Sequence, residues 1–159
     1  MTNEEKIKKE LSVKFGLSTE QIRVARERRV FMEVPHDQFR QVFEHIVNGL
    51  EFRHLCTITG LDDGDTLAFI YHVAHADGTV LSLKTRVPKT APALQTITDI
   101  FPDSTNYERE LEDLLGAHVE GLPPGQRYPL PDNWPIGQYP LRKDWKAEML
   151  DGVKQVGTP

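Results

Sequence analysis

Pro123, Pro124, Pro129, Pro131, Pro135 and Pro140 all fall between Gly121 and Trp145. Proline fixes its own φ, lacks a backbone N–H and clashes with the preceding helical turn, so this stretch admits no regular helix and no central strand. It is nevertheless too apolar for a free linker, with Leu122, Tyr128, Leu130, Trp134, Ile136, Tyr139, Leu141 and Trp145 along it. An extended, aromatic-studded ribbon of this kind is expected to lie on a surface, its own domain's or another protein's. The chain is therefore read as a domain over residues 1–118 and an extended proline-rich arm with a polar tail over 119–159.

The first part reads as regular structure. A short helix begins near Asn3, taken as its cap, carries Glu4 and Glu5 in its first turn and stops at Gly16; Ile7, Leu11 and Phe15 form its apolar stripe. Ile22, Val24, Val30, Met32 and Val34 alternate with polar residues as on a strand pair, with the turn near Ala25–Arg29. Phe39, Val42, Phe43, Ile46, Val47 and Leu50 recur at three- and four-residue spacing, which predicts an amphipathic helix ending at Asn48 and Gly49. A strand follows, then a hairpin across Asp77-Gly78. The stretch from Ala93 to Gly116 is read as a short helix, a proline break, and a second helix capped by Asp103 or Ser104 and ended by Gly116. The expected fold is α+β, a two-layer arrangement with a mainly antiparallel sheet and helices on one face.

Composition narrows the function. The 159 residues carry a net charge of −5, which gives no general electrostatic reason to bind nucleic acid. Arg23, Arg26, Arg28 and Arg29 form the one dense basic run and read as a solvated rim. The single cysteine, Cys56, reads as a buried structural thiol; one cysteine makes no internal disulfide and holds no iron–sulfur cluster. His72 and His75 are three apart on a strand, so they point to opposite faces and cannot share an ion. The Asp62–Asp65 run lacks the later ligands of a calcium loop and reads as a solvated turn. No phosphate-binding glycine loop and no nucleophile elbow occurs. The N-terminus has no apolar signal region and no window spans a membrane, so a cytoplasmic location is expected.

The helix around Tyr107-Glu108-Arg109-Glu110 gathers the densest charge, with Glu112 and Asp113 beside it. Arg109 and Asp113 are spaced as an i,i+4 pair. Two nearby carboxylates also suit general acid–base chemistry, which keeps a small enzyme as a rival reading.

From Thr96 to Trp145 the sequence resembles the thirty-kilodalton subunit family of respiratory complex I, a module shared with complex I-related membrane-bound [NiFe] hydrogenases. The resemblance is carried by Tyr107, Glu108, Arg109, Glu110, Asp113, Leu114, Leu115 and Gly116, by Asp132, Asn133, Trp134 and Pro135, and by Pro140, Leu141, Arg142, Lys143, Asp144 and Trp145. It departs from the family pattern at Glu112–Gly116 and at Gly121-Leu122-Pro123. The resemblance implies a non-catalytic subunit without a cofactor or metal of its own. Its implied partners are the large subunit that holds the nickel–iron or quinone site and the small iron–sulfur subunit of the same complex. It further implies attachment to the cytoplasmic side of a membrane through that complex. On this reading Leu141 and Trp145 fill pockets of the large subunit and Arg142 pairs with one of its carboxylates. The short end after Trp145 favours the hydrogenase type over the C subunit of a respiratory NADH-quinone oxidoreductase.

Overall fold

The computed structural model describes residues 1–151; the expected polar tail lies, from 152 on, outside them. The elements are α1 (Asn3–Phe15), β1 (Ile22–Arg26), β2 (Arg29–Glu33), α2 (His36–Glu44), β3 (His54–Asp62), β4 (Thr66–Ala74), β5 (Val80–Pro88), β6 (Ala93–Gln95), α3 (Thr105–Leu115) and β7 (His118–Glu120). Five strands form one sheet in the order β1-β2-β5-β4-β3, and β6 and β7 pair separately. The α+β class is as expected, and the larger sheet is mainly antiparallel with one parallel pairing. β3 and β4, and β4 and β5, are joined by segments too short for anything but antiparallel neighbours. β2 instead runs parallel to β5, with Phe31 opposite Ser82 and Glu33 opposite Lys84, because the chain leaves β2 through the α2 crossover.

Contacts divide the chain into two compact units. One comprises Met1–Thr59 with Ala68–Arg86, the other Gly60–Leu67 with the chain from Val87 onward. Residues 87–118 thus group with the proline-rich stretch.

In the first unit, α1 is capped by Thr2 rather than Asn3. The Thr2 hydroxyl accepts from the Glu5 N–H at 3.3 Å, and Gly16 closes the helix in the left-handed conformation. The Asn3 side chain is drawn instead to Asp77, at 2.9 Å. α2 carries the expected stripe and ends in a π-helical turn, His45–Gly49. Phe39 and Phe43 pack on Tyr71, with ring centroids 4.6 and 5.5 Å away. Burying each such ring contributes about 2–3 kcal/mol. Phe69, Tyr71 and Val73 are buried on that face of β4, while Ile70 and His72 alternate to the other face and are half-buried. Cys56 is likewise only half-buried.

In the second unit the expected helix near Ala93 is a strand. β6 pairs in parallel with β7, Leu94 opposite Val119, and buries Leu94 between two outward neighbours. The three-residue spacing of Leu94, Ile97 and Ile100 mimics a helix. Here residues 93–95 pair with β7, the Thr96 N–H goes to the Glu120 carbonyl and the Ile97 N–H to the Glu108 carboxylate, bonds that a local helix would not make. Helix α3 starts after a single tight turn, Pro102–Ser104, and Ser104 makes no side-chain capping bond. Its end is as expected: Gly116 is left-handed, and the N–H groups of Gly116 and Ala117 turn back to Glu112 and Leu111.

Candidate docking surface

Segments that form neither helix nor sheet still need acceptors for their N–H groups. In the second unit carbonyls supply many of them, and carboxylates on regular elements supply others: Glu108, Asp113 and Asp62 to irregular segments, Glu112 to strand β7. Glu108, 1% exposed on α3, accepts from the Thr96 hydroxyl at 2.6 Å and the Ile97 N–H at 2.7 Å. Burial raises its pKa, partly offset by these two donors. Glu112 accepts from the Val119 N–H at 3.1 Å. Asp113 accepts from the Leu130 N–H at 3.0 Å and from the Arg127 guanidinium at 3.2 Å. Arg127 also donates to the Trp134 carbonyl at 2.9 Å, tying two parts of the proline-rich stretch together.

The fourth carboxylate is Asp62, at the end of β3. It is buried, where a solvated turn was expected. One oxygen accepts from the Gly64 N–H at 2.8 Å; the other accepts from the Lys143 N–H at 2.8 Å and the Lys89 ammonium at 2.7 Å. Lys89 reaches on to Asp144 at 3.1 Å. Burial raises the Asp62 pKa, but Lys89 and the two N–H donors outweigh it and bring it down to about 2.

These bonds reassign most of the residues singled out by sequence. Asp113 pairs with Arg127, not with Arg109 one helical turn away; the Arg109 guanidinium donates to the Pro123 carbonyl at 3.1 Å. Tyr107 and Glu110 lie half-buried on α3. Gly116 is needed twice: its φ is +72°, and a Cβ there would stand 2.5 Å from the Tyr139 ring. Tyr139 in turn lies under the Arg142 guanidinium, 4.8 Å from ring centroid to Cζ. Arg142 donates to the Leu115 carbonyl at 2.6 Å, the favoured place for a cation at a helix C-terminus. The Leu141 N–H reaches the Leu114 carbonyl at 3.0 Å. Trp134 and Trp145 sit 6.0 Å apart, and both indole N–H groups donate to Gln138. Arg142 and Trp145, read from sequence as groups for a partner, are thus engaged within this chain. Pro140 is half-buried, and beside exposed polar groups such as Asp132 and Lys143 the segment leaves large apolar ones outward: Tyr128, Ile136 at 97% exposure, Leu141 at 54% and Met149.

Asp62, Lys89, Arg127 and Gln138 escaped sequence reasoning. Asp62 and Lys143 are 81 residues apart, and no local spacing carries such a pair. In the first unit, His72 lies between Ser82, 2.8 Å from Nδ1, and Thr59, 3.2 Å from Nε2. Burial lowers its pKa. With a hydroxyl rather than a carboxylate on its second nitrogen, this pair lacks the orienting acid of a nucleophilic triad. Among the described residues no cluster of three or more His, Cys, Asp or Glu is arranged to hold a metal, and no helix is long and apolar enough to cross a membrane.

The match to the family described as respiratory-chain NADH dehydrogenase, 30 Kd subunit, spans residues 32–149, and the chain belongs to that family. It is 34% identical over 122 residues to the C subunit of the F(420)H(2) dehydrogenase of Methanosarcina mazei, covering 75% of this chain and 77% of that one. It is 33% identical over 135 residues to the membrane-bound hydrogenase subunit beta of Pyrococcus furiosus, covering 82% and 78%. Among solved structures, a chain of the membrane-bound sulfane sulfur reductase, an archaeal respiratory membrane complex, superposes with a TM-score of 0.78 at 28% identity, covering 99% of this chain and 95% of that one. A trypsin-resistant fragment of Nqo5 gives 0.63 at 26% identity, covering 76% and 98%.

Proposed function

We propose that this chain is a non-catalytic assembly subunit of a complex I-like membrane-bound oxidoreductase, of the hydrogenase type, and that it docks on the large catalytic subunit through its proline-rich stretch. The observation that carries the reading is the contrast within that stretch. Arg127, Arg142 and the two indoles are engaged within the chain, while the apolar groups Ile136, Leu141, Tyr128 and Met149 are held outward. Exposed apolar groups on a clasped segment need no ordering on binding, so they contribute affinity at low entropic cost. Electron transfer belongs to the partners, with the nickel–iron or quinone site in the large subunit and clusters in the small iron–sulfur subunit. The single cysteine supports a chain without a redox centre of its own. The complex places the chain on the cytoplasmic side of the membrane. The rival of an acid–base enzyme on α3 is disfavoured by Glu108, which is buried with both oxygens engaged.

The similarity to a component of an F(420)H(2) dehydrogenase favours membership of that type as a second reading. Purification of the tagged chain from its own cells, with mass spectrometry and metal analysis of what accompanies it, distinguishes the two. Nickel with a hydrogenase-type large subunit supports the first, and a nickel-free large subunit the second. In the same experiment, Ile136→Asp with Leu141→Asp is expected to strip the large subunit from the tagged chain. Undiminished recovery with the double variant refutes docking through this surface.

A further inference from the structure

The open face of the larger sheet carries a second surface, made wholly of first-unit residues. α2 packs on the face that holds Tyr71. On the opposite face, register places Arg29, Phe31 and Glu33 of β2 beside Ser82 and Lys84 of β5, with Arg23 of β1 across from Phe31. Phe31 is 38% exposed and lies beneath the Arg23 guanidinium, 5.4 Å from Cζ to ring centroid. Together with half-buried Ile70 it lines a shallow hollow of about 190 Å³. Arg23, Arg29, Lys84 and Arg86 stand against Glu20 and Glu33, and Glu33 is already paired with Arg86. The face therefore has a positive surplus on a chain whose net charge is −5.

The solvated face of a sheet mostly carries polar residues. An aromatic and an isoleucine at the centre of this one, with Arg23 and Lys84 set among Glu20 and Glu33 around them and Arg29 and Arg86 further out, have the apolar core and charged rim of a protein interface. We infer that this face receives an acidic segment of another subunit of the complex, with an aliphatic side chain seated against Phe31 and Ile70 and carboxylates meeting Arg23 and Lys84. The cations are spread along three strands around an aromatic rather than clustered as a polybasic run, which favours a polypeptide over an anionic membrane surface. The inference rests on the reading of the chain as a complex subunit, and it adds a contact independent of Ile136 and Leu141.

The test is a photo-cross-linking amino acid at Phe31 in the full-length tagged chain, expressed in its own cells and isolated with whatever it binds. The expected result is an adduct on a peptide of another subunit in which Asp and Glu outnumber Lys and Arg. Arg23→Glu with Lys84→Glu is expected to lower recovery of that subunit about tenfold or more, with the loss growing smaller at high salt. The chain's own thermal unfolding stays unchanged. Recovery of the complex without such an adduct overturns the inference and leaves docking through Leu141 standing. An adduct on a second copy of this chain, on a peptide without acidic surplus or on lipid overturns it as well, as does binding of the chain to phosphatidylglycerol vesicles that the double charge reversal abolishes. Isolation of the unaltered chain without any other subunit overturns both this inference and the docking reading.

Discussion

The sheet-and-helix unit and the proline-rich stretch reach order by different physics. In the first, Phe39, Phe43, Phe52, Phe69 and Tyr71 bury their rings, and backbone groups pair in helices and a sheet ladder. In the second, no ladder is available to residues 121–145; their N–H groups turn back to nearby carbonyls, and those of Leu130 and Lys143 are met by Asp113 and Asp62. Apolar burial tolerates many sequences of similar volume. A carboxylate that must meet a particular N–H at 2.8–3.0 Å tolerates almost none. The residues that make the chain recognisable therefore gather in the region with the least regular structure.

The difference is broken most severely from the apolar side. Phe43→Ala should cost about 3–5 kcal/mol in a denaturant titration, as for other fully buried rings. Gly116→Ala comes next, since a left-handed φ and the Tyr139 ring both oppose a Cβ; a loss of roughly 2 kcal/mol or more is expected in thermal unfolding. Asp62→Asn keeps the shape but removes the charge that Lys89 and two N–H groups meet, and should cost about 2–3 kcal/mol.

The pH dependence sharpens the same contrast. The folded pKa of Asp62, about 2, lies below its ordinary 3.8. Its contribution is complete above pH 4 and is lost as the pH falls from about 4 to about 2, in total about 2 kcal/mol. Glu108 has the opposite sign. Its folded pKa is raised by burial, so its ionisation opposes folding as the pH rises through the carboxylate range. Acid unfolding of the wild type and of Asp62→Asn should converge near pH 2. Parallel curves down to that pH would remove Asp62 from the account. The smallest expected effect on stability is that of Leu141→Asp, within about 0.5 kcal/mol, because the side chain is exposed. Its consequence is confined to association.

Legibility in the sequence follows the same division. Helix α2, the Asp77-Gly78 turn and the Gly116 stop were readable because periodicity and turn chemistry are local. β6 was not, because Leu94, Ile97 and Ile100 mimic helical spacing while the partners of this stretch, β7 and Glu108, lie beyond them in the chain. The role of Asp62 was hidden for a related reason. A carboxylate in an Asp-Asp-Gly-Asp turn looks solvated until the chain returns with Lys143. Resemblance singled out Arg142, Lys143, Asp144 and Trp145 as groups for a partner; within this chain they make bonds that hold the segment in place. The aliphatics Ile136 and Leu141, just before them, stay exposed.

Backbone hydrogen exchange at Lys143, compared between the wild-type chain and Asp62→Asn, tests the carboxylate clasp most directly. The account predicts that exchange of this amide accelerates about tenfold or more in the variant while the amides of α2 keep their protection. An unchanged Lys143 amide would mean that something other than Asp62 orders the segment, and the central claim would fail.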